Sequence, residues 1–219
     1  MSQRILEDER LPLKTDFDRK AYWDKIYSTK QPTEVSWFEA EPMTSLDFVK
    51  QLDLPRSARI FDNGGGDSFF VDNLLKLGYE NITVLDISEA ALVKARSRLG
   101  ENAKKIKWVV ADEAYCDPGE QFDLWHDRAA FHFLTDEKEI RNYISTIKNC
   151  IKPGGYFVIG TFSEKGPKKC SGLDVKQYSE KLMTELLKES FEKIKCVTTD
   201  HTTPFNTTQN FLFCAFKRK

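Results

Sequence analysis

The sequence lacks a hydrophobic run that would cross a bilayer, since none of its uninterrupted apolar stretches approaches the ~20 residues that a membrane helix needs. It also lacks an excess of one charge, because 33 Lys and Arg residues stand against 34 Asp and Glu residues. A dedicated nucleic-acid binder needs a clustered basic excess for its phosphate contacts, and so does a polybasic protein of a membrane surface. We therefore expect neither nucleic acid nor membrane as a partner.

Cysteines are few and show no pairing motif. The five are odd in number, widely scattered and without a Cys-x-x-Cys pair. The first 14 residues are charged and lack the apolar core of a secretory signal. We expect a cytoplasmic protein whose thiols are all free. These cysteines are Cys116, Cys150, Cys170, Cys196 and Cys214.

Short apolar segments of strand length alternate with longer segments of helical period. The strand candidates are rich in Val, Ile and aromatic residues, which is typical of buried parallel strands. Ser88 and Asp136 stand where N-caps of the intervening helices would stand. The alternation predicts right-handed βαβ units and a parallel sheet. The predicted strands cover residues 58–62, 82–86, 107–111, 122–126 and 156–161.

The end of the chain departs from this alternation. Residues 191–199 and 210–217 are both typical of strands, and the polar stretch between them is too short for a crossover helix. The two are therefore predicted to pair antiparallel. The predicted fold class is α/β: a Rossmann-like, doubly wound sheet of seven strands, mostly parallel, with an antiparallel C-terminal strand. We expect residues 1–219 to form one domain, with 1–15 a flexible arm, as a monomer or weak homodimer.

A glycine-rich turn follows the first predicted strand, in the segment Asp62-Asn63-Gly64-Gly65-Gly66. Glycine lets the backbone turn tightly and lets a ligand approach where a Cβ would collide. The nicotinamide-binding fingerprint would place a third glycine at Phe69, where there is none. A carboxylate at Asp62 would repel a pyrophosphate, whereas it suits a ligand that carries an ammonium group.

Two further carboxylates follow the next two strands. Asp86 is placed to accept hydrogen bonds from both hydroxyls of a ribose, and Asp112 from the amino group of an adenine. Three carboxylates at the ends of three successive strands, beside one glycine loop, match an amino-acid group, a ribose and an adenine in a row. The ligand that this order predicts is S-adenosylmethionine.

With these motifs the sequence resembles the class I S-adenosylmethionine-dependent methyltransferases, from about Tyr22 to the C-terminus. The Lys/Arg-Pro-Gly-Gly turn of that family matches Lys152-Pro153-Gly154-Gly155, while Ser68 stands where many members have glycine. Segments around Trp23, Trp37, Trp125 and Cys170 are similar to those of small bacterial methyltransferases. The resemblance implies S-adenosylmethionine as cofactor, held by Trp23, Trp37, Asp62, Asn63, Gly64, Gly65, Gly66, Asp86, Ile87, Asp112, Glu113 and His126.

The loop after the fourth strand is the expected place of the chemistry, since ligands of such sheets sit at the carboxyl ends of strands. Asp127-Arg128-Ala129 resembles the Asp-Arg-Gly segment of thiopurine-type methyltransferases, whose arginine contacts an acidic substrate. His126, Asp127 and Arg128 are the predicted catalytic residues, with His126 as a candidate base. An alternative remains that Asp127 and Arg128 pair with each other or cap the next helix. No metal is predicted, because the histidine and cysteine spacing matches no ligand pattern.

The predicted function is methyl transfer to a small heteroatom nucleophile (S, N or O), with Arg128 recognising an acidic group on it. A protein-lysine acceptor is the first alternative, since related segments occur in some protein-lysine methyltransferases. The sequence also leaves open a nicotinamide oxidoreductase and an inactive cofactor-binding module. Trp23, Trp37 and Phe38 are interpreted either as a lid over the methionine end or as ordinary packing of an N-terminal helix.

Overall fold

The structure is a computed structural model that describes residues 17–219. The predicted flexible arm, residues 1–15, lies outside this range. The helices are α1 (Arg19–Thr29), α2 (Met43–Gln51), α3 (Phe70–Lys76), α4 (Glu89–Leu99), α5 (Glu137–Cys150) and α6 (Glu180–Leu187). The strands are β1 (Arg59–Asn63), β2 (Asn81–Asp86), β3 (Ile106–Val110), β4 (Phe122–Arg128), β5 (Ile151–Phe162), β6 (Lys169–Cys170), β7 (Leu173–Asp174), β8 (Phe191–Thr202) and β9 (Thr208–Arg218).

Seven of these strands form one sheet in the order β3-β2-β1-β4-β5-β9-β8. The first five pair in parallel, whereas β9 runs antiparallel to both β5 and β8. The predicted fold class and the predicted terminal hairpin are confirmed. Both predicted N-caps are confirmed too: Ser88 Oγ accepts from the Ala91 N–H, and Asp136 accepts from two N–H groups of the first turn of α5.

The sheet separates two apolar clusters, one on each face. Successive side chains along a strand point to opposite faces, so neighbouring residues belong to different clusters. In β1, Ile60 packs with Leu74 and Leu92 on one face, while its neighbour Phe61 packs with Trp125 on the other. Both faces are covered by helices, which is why the strands are nearly continuous in apolar residues. Within residues 17–219, no helix combines the length and the apolarity that crossing a membrane requires.

The expectation that all five cysteines are free is wrong for two of them. Cys196 and Cys214 are register partners in the β8–β9 hairpin, with Cα atoms 4.1 Å apart, and they form a disulfide. Their separation of 18 residues carries no recognisable motif, since only the hairpin register places them opposite each other. Cys116, Cys150 and Cys170 are free, as expected.

Candidate active site

A cavity opens at the carboxyl ends of β1, β2 and β4, the edge where the sequence predicts the ligand. Parallel strands end there together, so the loops that follow them converge on one place. The lining residues are Trp23, Tyr27, Trp37, Gly64, Asp86, Ile87, Glu113, Arg128, Ala129, Ala130, Phe133 and Cys170.

Gly64 of the glycine loop after β1 lines this cavity, and the positive-φ glycines of the loop are required for two reasons. Gly64 and Gly66 have φ angles of +62° and +51°, which L side chains rarely adopt. Space is short as well, since a Cβ on Gly64 would lie 2.4 Å from the Cβ of Ala130. A Cβ on Gly66 would lie 2.7 Å from Oη of Tyr27. The loop is therefore a close-approach surface, as the sequence predicts.

Asp86 lies at the end of β2 with its carboxyl turned to this loop. Its Oδ1 accepts from the Ser88 N–H at 2.7 Å, and its Oδ2 would be 3.2 Å from a Cβ on Gly66. Burial raises the pKa of Asp86 to about 7, and the nearby Asp67 carboxylate adds to this effect. The buried carboxyl therefore faces the glycine loop at the edge of the cavity.

Glu113, which follows β3, is a second carboxyl at this end of the cavity. Burial raises its pKa to about 8, and the charge of the adjacent Asp112 contributes in the same direction. At neutral pH the group is therefore largely protonated and can donate a hydrogen bond. Ile87 lies beside it in the lining and offers an apolar surface, so this end suits a planar heterocycle with polar edges.

Four aromatic side chains form a wall of the cavity. The ring of Trp23 lies 5.9 Å from that of Trp37 and 5.0 Å from that of Phe133, both edge to face. The Tyr27 ring lies 6.1 Å from the Trp37 ring. The lid interpretation of the two tryptophans thus agrees with their place at the cavity. Sequence reasoning missed Tyr27, although its i,i+4 spacing from Trp23 on one helix face is a usable signal.

Helix α1, which carries two of these rings, is fixed across the carboxyl edge of the sheet. Asp24 accepts from Ser88 Oγ at 2.7 Å and so joins α1 to the start of α4. The Tyr22 hydroxyl donates to the carbonyl of Ser171, beyond β6. Near its start, Arg19 bonds both carboxylate oxygens of Glu139 at 2.5 Å. These contacts make α1 a fixed cover of the cavity.

Asp112 does not line the cavity, in contrast to its predicted role. Its Oδ2 accepts from Arg19 at 3.3 Å and its Oδ1 from the Ala114 N–H at 2.9 Å. The carboxyl that was expected to meet an adenine amino group therefore faces the α1 cover. Its neighbour Glu113 holds the cavity position instead.

His126 and Asp62 are also turned away from the cavity, into the apolar cluster beneath it. They are register partners in β4 and β1, so their side chains emerge side by side on the same face of the sheet. His126 Nδ1 lies 2.7 Å from Asp62 Oδ1, and its Nε2 lies 2.8 Å from Ser45 Oγ. Its ring stacks on Phe70 with centroids 4.0 Å apart. The predicted roles of His126 as base and cofactor contact, and of Asp62 as partner of an ammonium group, do not fit this geometry.

Asp127 points to the opposite face and is fully buried. It accepts from Asn63 Nδ2 at 2.8 Å, from Tyr143 Oη at 2.7 Å, and from the N–H groups of Ala130 and Phe131 at 3.2 Å. The capping alternative thus describes Asp127 better than a catalytic role. Asn63 contacts Asp127 rather than the cavity, so its predicted cofactor contact does not fit either. Both residues shape the loop that presents Ala130 to Gly64.

Arg128 does line the cavity, but its guanidinium is already engaged. Its Nη1 donates to the carbonyl of Trp37 and its Nη2 to Glu39, both at 2.9 Å. His201 Nδ1 lies 2.8 Å from the same Glu39 carboxylate. Although burial acts to raise it, the pKa of Glu39 is lowered by His201 and Arg128. Arg128 therefore pairs with Glu39 rather than Asp127 and fixes the position of Trp37.

Cys170 adds a neutral group to the lining, because burial raises the pKa of its thiol. In the described part of the chain, no three His, Cys, Asp or Glu side chains are arranged to hold a metal ion.

Comparison with known proteins agrees with this geometry. Residues 60–155 match a family model described as a methyltransferase domain. Over these residues the chain is similar to methyltransferase domains. Its fold is that of the N-methyltransferase NodS from Bradyrhizobium japonicum, solved with S-adenosyl-L-homocysteine: the TM-score is 0.69 at 17% identity, over 91% of this chain and 97% of that one.

Two curated relatives are similar in sequence to the methyltransferase domain and its flanks. EEF1A lysine methyltransferase 2 of Danio rerio is 27% identical over 157 residues, which are 64% of this chain and 66% of that protein. Nodulation protein S of Rhizobium tropici is 26% identical over 110 residues, which are 50% of this chain and 46% of that protein. The chain thus spans less than two thirds of either relative. The domain match begins at Ile60, so the aromatic wall from α1 and Trp37 lies outside it.

Proposed function

We propose that the protein is an enzyme that binds S-adenosylmethionine in the cavity and transfers its methyl group to a small heteroatom nucleophile. The close-approach loop at Gly64 and Gly66 suits the amino-acid end of the cofactor, and Asp86 suits the ribose. Ile87 and Glu113 suit the adenine. The observation that carries the proposal is that Gly64, Asp86, Ile87 and Glu113 line one cavity, with two carboxyls whose pKa values are raised by burial.

When bound, S-adenosylmethionine supplies an electrophilic methyl carbon on a sulfonium. The chain contributes alignment and exclusion of water, which are the main requirements of such a displacement. The aromatic wall of Trp23, Tyr27, Trp37 and Phe133 provides the exclusion. Arg128 keeps Trp37 in place through its backbone carbonyl.

The lining revises the acceptor that the sequence suggests. Arg128 is the only Lys, Arg or His among the described lining residues, and its Nη1 and Nη2 already donate to Trp37 and Glu39. An acidic group on the acceptor would compete with Glu39 for this guanidinium. We therefore favour an acceptor whose reacting end is uncharged, such as an amine after loss of its proton, or a thiol.

A direct test is incubation with methyl-labelled S-adenosylmethionine and size-fractionated cell extract. Label in the small-molecule fraction is the expected result. Calorimetry provides the control. An intact cofactor site should bind S-adenosylhomocysteine, and the protein should not bind NAD. Label in neither fraction, together with cofactor binding, would identify an inactive binding module.

A protein-lysine acceptor is the second candidate. Two relatives are lysine methyltransferases, which supports this acceptor. The long apolar stem of a lysine side chain could also pack against the aromatic wall of the cavity. Label in protein, and its loss when surface lysines are reductively methylated beforehand, would establish this alternative. A cytoplasmic location and a monomeric or weakly dimeric state stay predictions.

A further inference from the structure

The glycine loop is held from outside by a single side chain of α4, Arg98. Its Nη1 donates to the carbonyl of Asp67 at 2.7 Å, and its Nη2 donates to the carbonyl of Ser68 at 2.8 Å. These carbonyls directly follow the three glycines. They lie before α3 begins at Phe70, so the helix does not provide their hydrogen bonds.

The same guanidinium is fixed by a second set of contacts. Its Nε and Nη2 donate to the two oxygens of Asp72 at 3.1 and 2.8 Å, which is the paired geometry that only arginine offers a carboxylate. Its planar face lies 4.0 Å from the ring centroid of Phe69. Arg98 thus joins the last turn of α4 to the loop and to the first turn of α3.

Phe69 extends this connection to the segment that carries Trp37. Its ring meets that of Phe38 edge to face at 5.8 Å, and Phe38 directly follows the wall residue Trp37. A glycine at position 69, as in the nicotinamide fingerprint, would remove both ring contacts. The stack of Arg98, Phe69 and Phe38 therefore connects the loop to the segment that carries part of the aromatic wall.

We propose that Arg98 is a positioning residue that sets the conformation of the glycine loop for cofactor binding. Two positive-φ glycines widen the range of conformations open to the loop, and two backbone hydrogen bonds restrict it, from Gly65 N–H to the Leu85 carbonyl and from Ser68 N–H to the Gly65 carbonyl, both at 2.9 Å. Fixing the carbonyls of Asp67 and Ser68 restricts the loop before any ligand arrives, so the cofactor meets a preorganised surface. This inference rests on the proposed cofactor site.

Arg98→Lys tests the proposal, because lysine keeps the charge and the helix propensity but loses the planar fork. The matched control is Arg96→Lys on the same helix, where the guanidinium lies over the Trp108 ring, 5.7 Å from its centroid. Two quantities are measured at a temperature where circular dichroism shows both variants folded. One is the Kd for S-adenosylhomocysteine, and the other is backbone hydrogen exchange of residues 63–69 without ligand.

We expect Arg98→Lys to bind S-adenosylhomocysteine at least about tenfold more weakly than Arg96→Lys, as the loss of charged hydrogen bonds implies. Exchange in residues 63–69 should rise while exchange in β5 stays unchanged. If Arg98 only stabilised the fold, Arg98→Lys would lower the melting temperature and leave the Kd of the folded protein for S-adenosylhomocysteine unchanged. Unchanged loop exchange, or a smaller difference in Kd, overturns the proposal.

If Arg98→Lys does not fold, Asp72→Asn serves instead. This change removes the carboxylate charge that orients the Arg98 guanidinium, while Arg98 can still donate to the carbonyls of Asp67 and Ser68. Faster loop exchange in folded Asp72→Asn supports the proposal, and unchanged exchange overturns it. If the wild-type protein itself does not bind S-adenosylhomocysteine, the proposed function fails. The exchange measurement then still decides whether Arg98 orders the loop.

Discussion

Replacement of Gly64 by alanine tests the two reasons why glycine is required at this position, its positive φ angle and the lack of space for a Cβ. The first demand is conformational. At φ +62° a Cβ costs about 1–2 kcal/mol. Alanine also restricts the unfolded chain, which returns about 0.4–1 kcal/mol. The net conformational cost is therefore about 1 kcal/mol.

The second demand is spatial. The new Cβ would lie 2.4 Å from the Cβ of Ala130, whereas carbon atoms in contact stay about 3.5–4.0 Å apart. The loop after β4 or the glycine loop must therefore move by more than an ångström. Overpacking of this kind typically costs about 1–3 kcal/mol. We expect Gly64→Ala to lower the free energy of unfolding by about 2–4 kcal/mol in total.

Two further variants separate these contributions. Gly119 has a φ of +68° and no heavy atom within 4 Å of an added Cβ, so Gly119→Ala isolates the conformational cost of about 1 kcal/mol. In the double variant Gly64→Ala/Ala130→Gly, the clashing methyl group is absent. Its urea-unfolding free energy should exceed the value expected from adding the two single changes by at least about 1 kcal/mol.

Urea unfolding of the wild type, the three single variants Gly64→Ala, Gly119→Ala and Ala130→Gly, and the double variant, with calorimetry with S-adenosylhomocysteine, provides the measurements. If Gly64→Ala and Gly119→Ala are equally destabilised, the close approach of Gly64 to Ala130 is refuted. Additivity of Gly64→Ala and Ala130→Gly would refute it independently.

The remaining predictions concern titration, the cofactor, the wall and the hairpin. Glu113 keeps its proton up to about pH 8 in the folded chain but loses it near pH 4.5 when unfolded, so its contribution to stability falls as pH rises through this window. Glu113→Gln should therefore flatten the pH dependence of urea unfolding between about pH 5 and pH 8, and an unchanged slope would contradict the buried carboxyl. Asp86→Asn should weaken S-adenosylhomocysteine binding at least about tenfold in calorimetry, since a charged hydrogen-bond partner is lost; equal affinity would remove the ribose assignment. Arg128→Lys should raise the acceptor KM through a displaced Trp37 while the cofactor Kd stays the same, and a loss confined to the cofactor would argue against a wall role. Reduction of the Cys196–Cys214 disulfide should lower the free energy of unfolding by about 3 kcal/mol and the Tm by roughly 6–12 °C, whereas an unmoved Tm would mean that the two thiols are free.

The sheet could be predicted from the sequence because its signals are local. The five parallel strands contain short apolar runs, and caps such as Ser88 lie next to the helices that they begin. The place of Asp86 in the cavity lining could be predicted for the same reason, since it lies at a strand end on the edge where the cavity opens.

The failures arise where the outcome depends on register or on distant partners. Nothing near His126 in the sequence shows that β4 pairs with β1 so that this ring faces Asp62. The engagement of Arg128 by Glu39 joins residues 89 positions apart, and the disulfide depends on the hairpin register. Such contacts follow from the assembled fold and leave no mark in a local pattern.

The fixed position of α1 has a consequence for the order in which the molecule assembles. Arg19 and Glu139 are 120 residues apart, and Tyr22 and Ser171 are 149 apart. At about 5–20 residues per second, a ribosome needs roughly 7–30 s to make the partner of Tyr22 after Tyr22 itself. Until then α1 has its contacts with Trp37 and Ser88 but lacks those with Glu139 and Ser171. The final position of α1 is thus fixed late, and ligand-binding competence is expected to be a late event in folding.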